Sequence, residues 1–192
     1  SDLSHDVHGW KIGVPKGAFD GRDERCKTVL DELKALGVEL VELELPKYPV
    51  DEMMIVLTAE AGAAFDDFSR SDNDDQMVRQ TRDAWPNVFR QAELIPAVDY
   101  IRANRLRTLL IRDLEATLAG VKAIVHPSFA NSLVAMTNLS GHPTFVAPCG
   151  FNKDGTPYSI SFTGKLFGDA DVLALAAAWQ RATHYHEQHP KL

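Results

Sequence analysis

Long apolar runs are missing from this sequence, and no stretch approaches the roughly 18 residues that a membrane-spanning helix requires. Positive charge is also in short supply: 20 Lys and Arg stand against 27 Asp and Glu, a net charge of −7. That balance argues against nucleic acid or an anionic membrane as the main partner. The arginines between 102 and 112 do not reverse it, because acids are interleaved with them. Cysteine is scarce. Cys26 and Cys149 are the only two and lie far apart in sequence, which reads as a reduced, cytoplasmic pair and not as a disulfide framework. The opening SDLSHDVHGW has neither the basic nor the apolar region of a secretory signal. Internal repeats and low-complexity segments are absent too.

Catalytic motifs are equally sparse. Asn138-Leu139-Ser140-Gly141-His142 fails the G-x-S-x-G elbow at both flanking positions. Ser161 has Gly164 where a Ser-x-x-Lys motif needs lysine, and Gly164-Lys165 runs into Leu166, not the Ser or Thr of a phosphate loop. No dinucleotide-binding glycine fingerprint occurs. The acidic run SRSDNDDQ (69–76) lacks the glycine and terminal glutamate of a calcium loop. His184, His186 and His189 sit at a helix end, where positive side chains suit the helix dipole better than they suit a metal. No metal and no organic cofactor are therefore expected. Two weak nucleophile candidates remain, Cys149 and Ser140. On a straight strand at about 3.3 Å per residue, His142 lies over roughly 20 Å from Cys149 and points to the opposite face. Ser140, beside Gly141 and His142, reads as turn chemistry.

What the chain does have is alternation of strand and helix. WKIGVP (10–15) is a short strand, and residues 22–36 form a helix with Cys26, Val29, Leu30, Leu33 and Leu36 on one stripe and Gly37 behind it. In 38–45, Val41, Leu43 and Leu45 alternate with Glu42 and Glu44, a strand with one buried face. Together these make a βαβ unit. One helix is expected over 51–68, with Met54, Leu57, Ala61, Phe65 and Phe68 as its core stripe. Trp85-Pro86 marks a boundary that pushes Trp85 out of helical geometry. The longest helix is expected over 95–118, with Val98, Ile101, Leu109, Leu110 and Leu114 facing inward and Arg102, Arg105, Arg107, Arg112, Asp99, Asp113 and Glu115 on a solvated face. A strand over 121–125 turns at His126-Pro127, and a short helix follows over 133–139.

The stretch 137–162 is a hairpin: an apolar strand from Thr144 to Ala147, an Asn-x-Asp-Gly turn, and a second strand with Tyr158, Ile160 and Phe162 on one face. A last helix is expected over 169–186. The fold class that follows is α/β, a mixed sheet with an early βαβ unit, a late antiparallel hairpin and helices packed on the faces. Residues 1–9 read as a polar leader, and 10–192 as a single domain.

The sequence TNLSGHPTFVAPCGFNKDGTPYSISFTGKLFGDADVLALAAAW resembles the C-terminal portion of the amidase signature family. Asn138, Gly141, Pro143, Pro148, Gly150, Phe151, Asp154, Gly155, Pro157, Gly164 and Phe167 carry the likeness. The opening KIGVPKGAFDG and the segment RTLLIRDLEATLAGVKAIVHPSF extend it over about residues 9–190.

The resemblance implies hydrolysis of C–N amide bonds in small amide substrates by a Ser–cis-Ser–Lys triad, without metal or cofactor. It places that triad's Gly- and Ser-rich stretch and its lysine N-terminal to the matched region, and neither occurs in these 192 residues. It therefore implies no catalytic residue here. It implies a supporting pocket wall formed by Ser128, Phe129, Asn131, Met136, Thr137 and Asn138. Local turn and cap hydrogen bonding accounts for Ser128, Asn131 and Asn138 more simply than a pocket role does. The connection from Phe129 to Thr137 is short where many relatives carry a longer loop, so an open pocket wall is expected. Exposed sheet edge or helix surface predicts self-association. A stand-alone, non-catalytic ligand-binding or scaffolding module, or a self-contained hydrolase, is the alternative.

Overall fold

The computed structural model describes residues 5–21, 24–129, 131–152 and 154–190, except for the side chains of Glu24, Arg25 and Asn131. Its elements run β1 Lys11–Pro15, α1 Glu24–Ala35, β2 Glu39–Leu43, α2 Val50–Met53, α3 Ile55–Ala64, α4 Asp66–Arg70, α5 Trp85–Ala92, α6 Ala97–Leu118, β3 Ala123–Pro127, α7 Asn131–Ser140, β4 Thr144–Phe151, β5 Pro157–Gly164 and α8 Asp169–Thr183. Short 3₁₀ turns cover Asn73–Gln76 and Tyr185–Glu187. The expected start of α1 at Arg22 lies outside the described residues. The chain divides into two compact units, residues 1–47 with 111–192, and residues 48–110.

The first unit is built on one sheet in the order β2-β1-β3-β5-β4. β1 pairs in parallel with both β2 and β3, and β5 runs antiparallel to β3 and β4. The mixed α/β sheet, parallel early and antiparallel late, is the expected one. One face carries Ile12, Ala123, Val125, Ala147, Ile160 and Phe162, which share a core with Cys26, Val29 and Leu33 of α1 and with Val172, Leu175 and Trp179 of α8. Val7 is buried in the same core, and Gly9 N–H donates to Gly37 O at 2.8 Å.

Several local readings change. β3 does not turn at His126-Pro127; the strand continues through both, because His126 and Pro127 pair with Ser161 and Ile160 of β5. β4 does not stop at Ala147 but runs to Phe151 across a bulge. There Cys149 is the extra residue and Gly150 takes a φ of 123°, which L side chains rarely adopt. The last helix ends at Thr183, since His184 adopts the left-handed conformation. No residue of β2 is fully buried, as befits an edge strand.

The second unit, 48–110, departs further from expectation. The helix expected over 51–68 is three pieces, broken at Met54 and Phe65. Its buried residues are Val50, Met53, Val56 and Ala61, while Leu57 and Phe65 stay about half exposed. α3 and α5 approach so closely that a Cβ on Gly62 would sit 2.5 Å from the Ala92 Cβ. Trp85 is helical, the first residue of α5, with Pro86 in the first turn, where its missing N–H costs nothing. In the acidic run, Asp74 is wholly buried and ion-paired to Arg90 Nη2 at 2.5 Å, so it is part of a structural pair and not of a solvated break. In α6, Ala103, Leu110, Leu114 and Leu118 are buried, whereas Val98, Ile101 and Leu109 are exposed. Among the described residues, no helix is long and apolar enough to cross a membrane.

Candidate functional site

The sheet order reverses direction at β1, which has β2 on one side and β3 on the other. Ligands of open α/β sheets gather at the carboxyl ends of strands at such a switch point. β1 and β3 are parallel, so Pro15-Lys16 and Pro127-Ser128 end at the same side of the sheet. Ser128 follows β3 directly and accepts a hydrogen bond from Ser161 Oγ at 2.9 Å. Phe129 is 80% exposed beside it. α7 begins at Asn131, whose side chain lies outside the described set. Farther along α7, Met136 and Thr137 are buried, and Thr137 Oγ1 donates to Val134 O at 3.1 Å. Asn138 is exposed. Of the six residues singled out from sequence, Ser128, Phe129 and Asn138 thus present accessible surface, while Met136 and Thr137 hold α7 in place.

Behind Ser128 lies a polar ladder on the sheet face opposite the α1–α8 core. His126, Ser161 and Thr163 are all buried there. His126 Nδ1 is 3.0 Å from Pro127 O, a pure acceptor, so Nδ1 carries the proton. Nε2 is then the acceptor for Thr163 O–H at 3.0 Å, and Thr163 Oγ1 in turn accepts from Thr144 O–H at 2.8 Å. Burial holds the His126 pKa below its ordinary value, against the opposing pull of the Pro127 carbonyl. A neutral imidazole with both nitrogens engaged is a structural spacer, not a general base.

The other imidazole makes a second chain. Ser140 Oγ lies 2.7 Å from His142 Nδ1, and His142 Nε2 lies 2.9 Å from Glu115 Oε1. His142 Nε2 is close to the carboxylate without hydrogen-bond geometry, and Ser140 Oγ has both His142 Nδ1 and, at 3.3 Å, the Thr137 carbonyl within reach of its one proton. In outline this is a Ser–His–carboxylate relay. Ser140 and His142 are nonetheless buried, at 4% and 6% exposure, so no carbonyl carbon can reach the hydroxyl. Glu115 Oε1 accepts the Leu166 N–H at 2.7 Å. The group is a clamp that ties the end of α6 to the α7–β4 turn and the β5–α8 loop. Glu115 was expected on a solvated face; its partners, distant in sequence, leave no periodic signal.

Cys149 is no better placed for attack. It is buried at the bulge among core side chains, whereas a reactive thiol needs a partly exposed, electropositive setting. Cys26 Sγ sits 2.7 Å from Tyr158 Oη. Tyr185 O–H donates to Glu32 Oε1 at 2.9 Å, and burial with that carboxylate nearby pushes its pKa up to about 12. Burial also raises the Glu32 pKa, with the Tyr185 hydrogen bond pulling it down. Among the described residues, no group of three or more His, Cys, Asp and Glu could hold a metal ion.

No family model matches the sequence. Among curated proteins, a glutamyl-tRNA(Gln) amidotransferase subunit of Chloroflexus aurantiacus is 30% identical over 99% of this chain and 48% of its own length. An amidase of Pseudomonas putida is 28% identical over 99% of the chain and 46% of its own. Of solved structures, a crystal structure of an amidase superposes with TM-score 0.77 at 22% identity, covering 93% of this chain and 46% of that one. The peptide amidase of Stenotrophomonas maltophilia gives 0.76 at 18%, covering 98% and 45%. A bacterial aryl acylamidase of the amidase signature family gives 0.75 at 18%, covering 96% and 46%.

Over its whole length the chain matches the C-terminal part of amidase signature enzymes.

The mixed five-stranded sheet is the part of the amidase signature fold that those structures share with it. The chain spans about half the length of the curated relatives it matches. Within that sheet the side-chain contacts at His126 and His142 join strands and loops.

Proposed function

We propose that this chain is the supporting C-terminal region of an enzyme that hydrolyses C–N amide bonds of small substrates. It supplies sheet core and a pocket wall at the carboxyl end of β3, where Ser128, Phe129 and Asn138 face the substrate, backed by Met136 and Thr137, with Asn131 opening the helix that carries the last three. The observation that carries this reading is the end-to-end match to one part of larger amidases, combined with the burial of Ser140 and Cys149. Acyl transfer needs an accessible nucleophile, a base and an oxyanion site preorganised together. The isolated chain is therefore inactive, while the whole enzyme works without metal or organic cofactor and belongs in the cytoplasm. Its exposed surfaces, including Val146 on the edge strand β4, promote self-association.

The test is direct. Purified chain is assayed against a series of small aliphatic and aromatic amides and esters, and no turnover above the uncatalysed rate is expected. Turnover lost on Cys149→Ala or Ser140→Ala would sink the proposal and make this a self-contained hydrolase. Reading the coding DNA upstream of Ser1 separates the two non-catalytic readings: a Gly-Ser-Ser-Gly stretch and a lysine support the amidase, and a start codon with neither supports a stand-alone module.

A further inference from the structure

The 48–110 unit holds an apolar hollow that the amide-hydrolysis reading leaves unassigned. Where α3 ends, Phe65 stacks on Phe89 of α5, with ring centroids 4.8 Å apart and planes at 18°. Trp85 stacks on the same Phe89 at 5.5 Å, and Phe68 meets Phe65 edge-on at 6.3 Å. The close Gly62–Ala92 approach holds α3 and α5 together beside these rings. The rings and Leu57 wall a cavity of about 610 Å³. That volume lies within the range of about 300–1,000 Å³ found for small-molecule sites.

One charged side chain lines this cavity among the described residues, Glu60. Tyr100 O–H donates to Glu60 Oε1 at 3.2 Å, which steadies the carboxylate and leaves Oε2 for a donor from the cavity. The apolar rings set the shape of the hollow and Glu60 its charge preference. An anion would meet repulsion from the carboxylate. A neutral apolar ligand would gain from the rings and nothing from Glu60.

We propose that this cavity binds a small aryl- or alkyl-ammonium compound, its apolar body against Phe65, Trp85 and Phe89 and its ammonium at Glu60. This site is independent of the amide-hydrolysis reading and stands or falls separately from it. A second copy of the chain is the rival occupant, and the test separates the two.

The 192-residue chain is titrated calorimetrically with 2-phenylethylammonium, with the near-isosteric neutral 2-phenylethanol, and with 3-phenylpropionate. The ammonium should bind about tenfold more tightly than the alcohol, and the carboxylate more weakly than either. Glu60→Gln should bring ammonium and alcohol to equal affinity. Ala64→Trp, at an exposed position on the wall, should abolish binding of both with the unfolding midpoint retained. Should that variant not fold, Leu57→Lys, also at an exposed position, should weaken the ammonium about tenfold and leave the alcohol unchanged. Absence of saturable binding by all three probes overturns the proposal, as does equal affinity for ammonium and alcohol in the wild-type chain. So does a concentration-dependent dimer that Ala64→Trp disperses without any probe having bound, because the hollow would then be an interface between copies.

Discussion

Single residues carry the clamp between α6, the α7–β4 turn and the β5–α8 loop, and Glu115 is its centre. Its carboxylate Oε1 accepts from Leu166 N–H and lies 2.9 Å from His142 Nε2. Glu115→Gln keeps the shape and the Oε1 acceptor but removes the negative charge. The expected cost is about 0.5–1.5 kcal/mol of unfolding free energy, measurable by urea titration, for a hydrogen bond that loses its charge assistance. A change within a few tenths would mean that the clamp contributes nothing. The histidines add a pH signature. His126 and His142 both have pKa values held below the ordinary 6.5, chiefly by burial. Above pH 6.5 each is neutral in folded and unfolded chain alike, and stability is complete. As pH falls below 6.5 the unfolded chain takes up protons first, so stability declines until the depressed folded pKa values are passed. Urea midpoints should therefore drop from pH 7.5 to 5.5, with a shallower slope in His142→Gln. A midpoint that rises over that interval contradicts the assignment. None of this was visible in sequence, since His126 reads as a turn residue and Glu115 as a surface acid. Side-chain pairing at long range has no period.

Elements were more legible than their partners. The βαβ opening, the hairpin and the long helix follow from periods of two and 3.6 residues and from Gly and Pro at their ends. The helix expected over 51–68 failed because its apolar positions are almost continuous. A stripe so broad fits one long helix or several short ones, and packing of α3 on α5 chose the latter. Gly62 makes that packing possible. In an isolated helix, glycine to alanine gains up to about 1 kcal/mol. Here Gly62→Ala should instead lose about 1–3 kcal/mol, because the new methyl would lie 2.5 Å from the Ala92 Cβ. Ala92→Gly in the same chain should restore part of the loss, and a double-mutant cycle of thermal or urea unfolding reads the coupling. A more stable single mutant would show that the helices separate freely. The same stripe, read from sequence as core, proves to wall an open hollow: pattern reports which residues shun water, not which ones find cover.

At the scale of the whole molecule, fold class was legible from the order of elements, and the candidate site only from resemblance. Of that site, the strand end at Ser128 and Phe129 has a physical basis in the sheet's switch point. Sizing at rising concentration should show the chain moving beyond a monomer, and a strictly monomeric profile would remove the exposed edges as an assembly surface. The pairing of β1 carries one more consequence, for how the chain reaches its shape. β1 and β2 are neighbours in sequence and can join as soon as α1 has formed. The other side of β1 must wait for β3, because Ile12 pairs with Ala123 and Gly13 with Ile124, more than a hundred residues later. Closing so long a loop precedes any reward from the contact, which makes this the slow step of folding. On the ribosome, β1 leaves the exit tunnel with a bare edge and keeps it until most of the chain has been made. Chaperone dependence during synthesis should therefore concentrate on residues 11–15, a demand set by connectivity and not by the stability of the finished sheet.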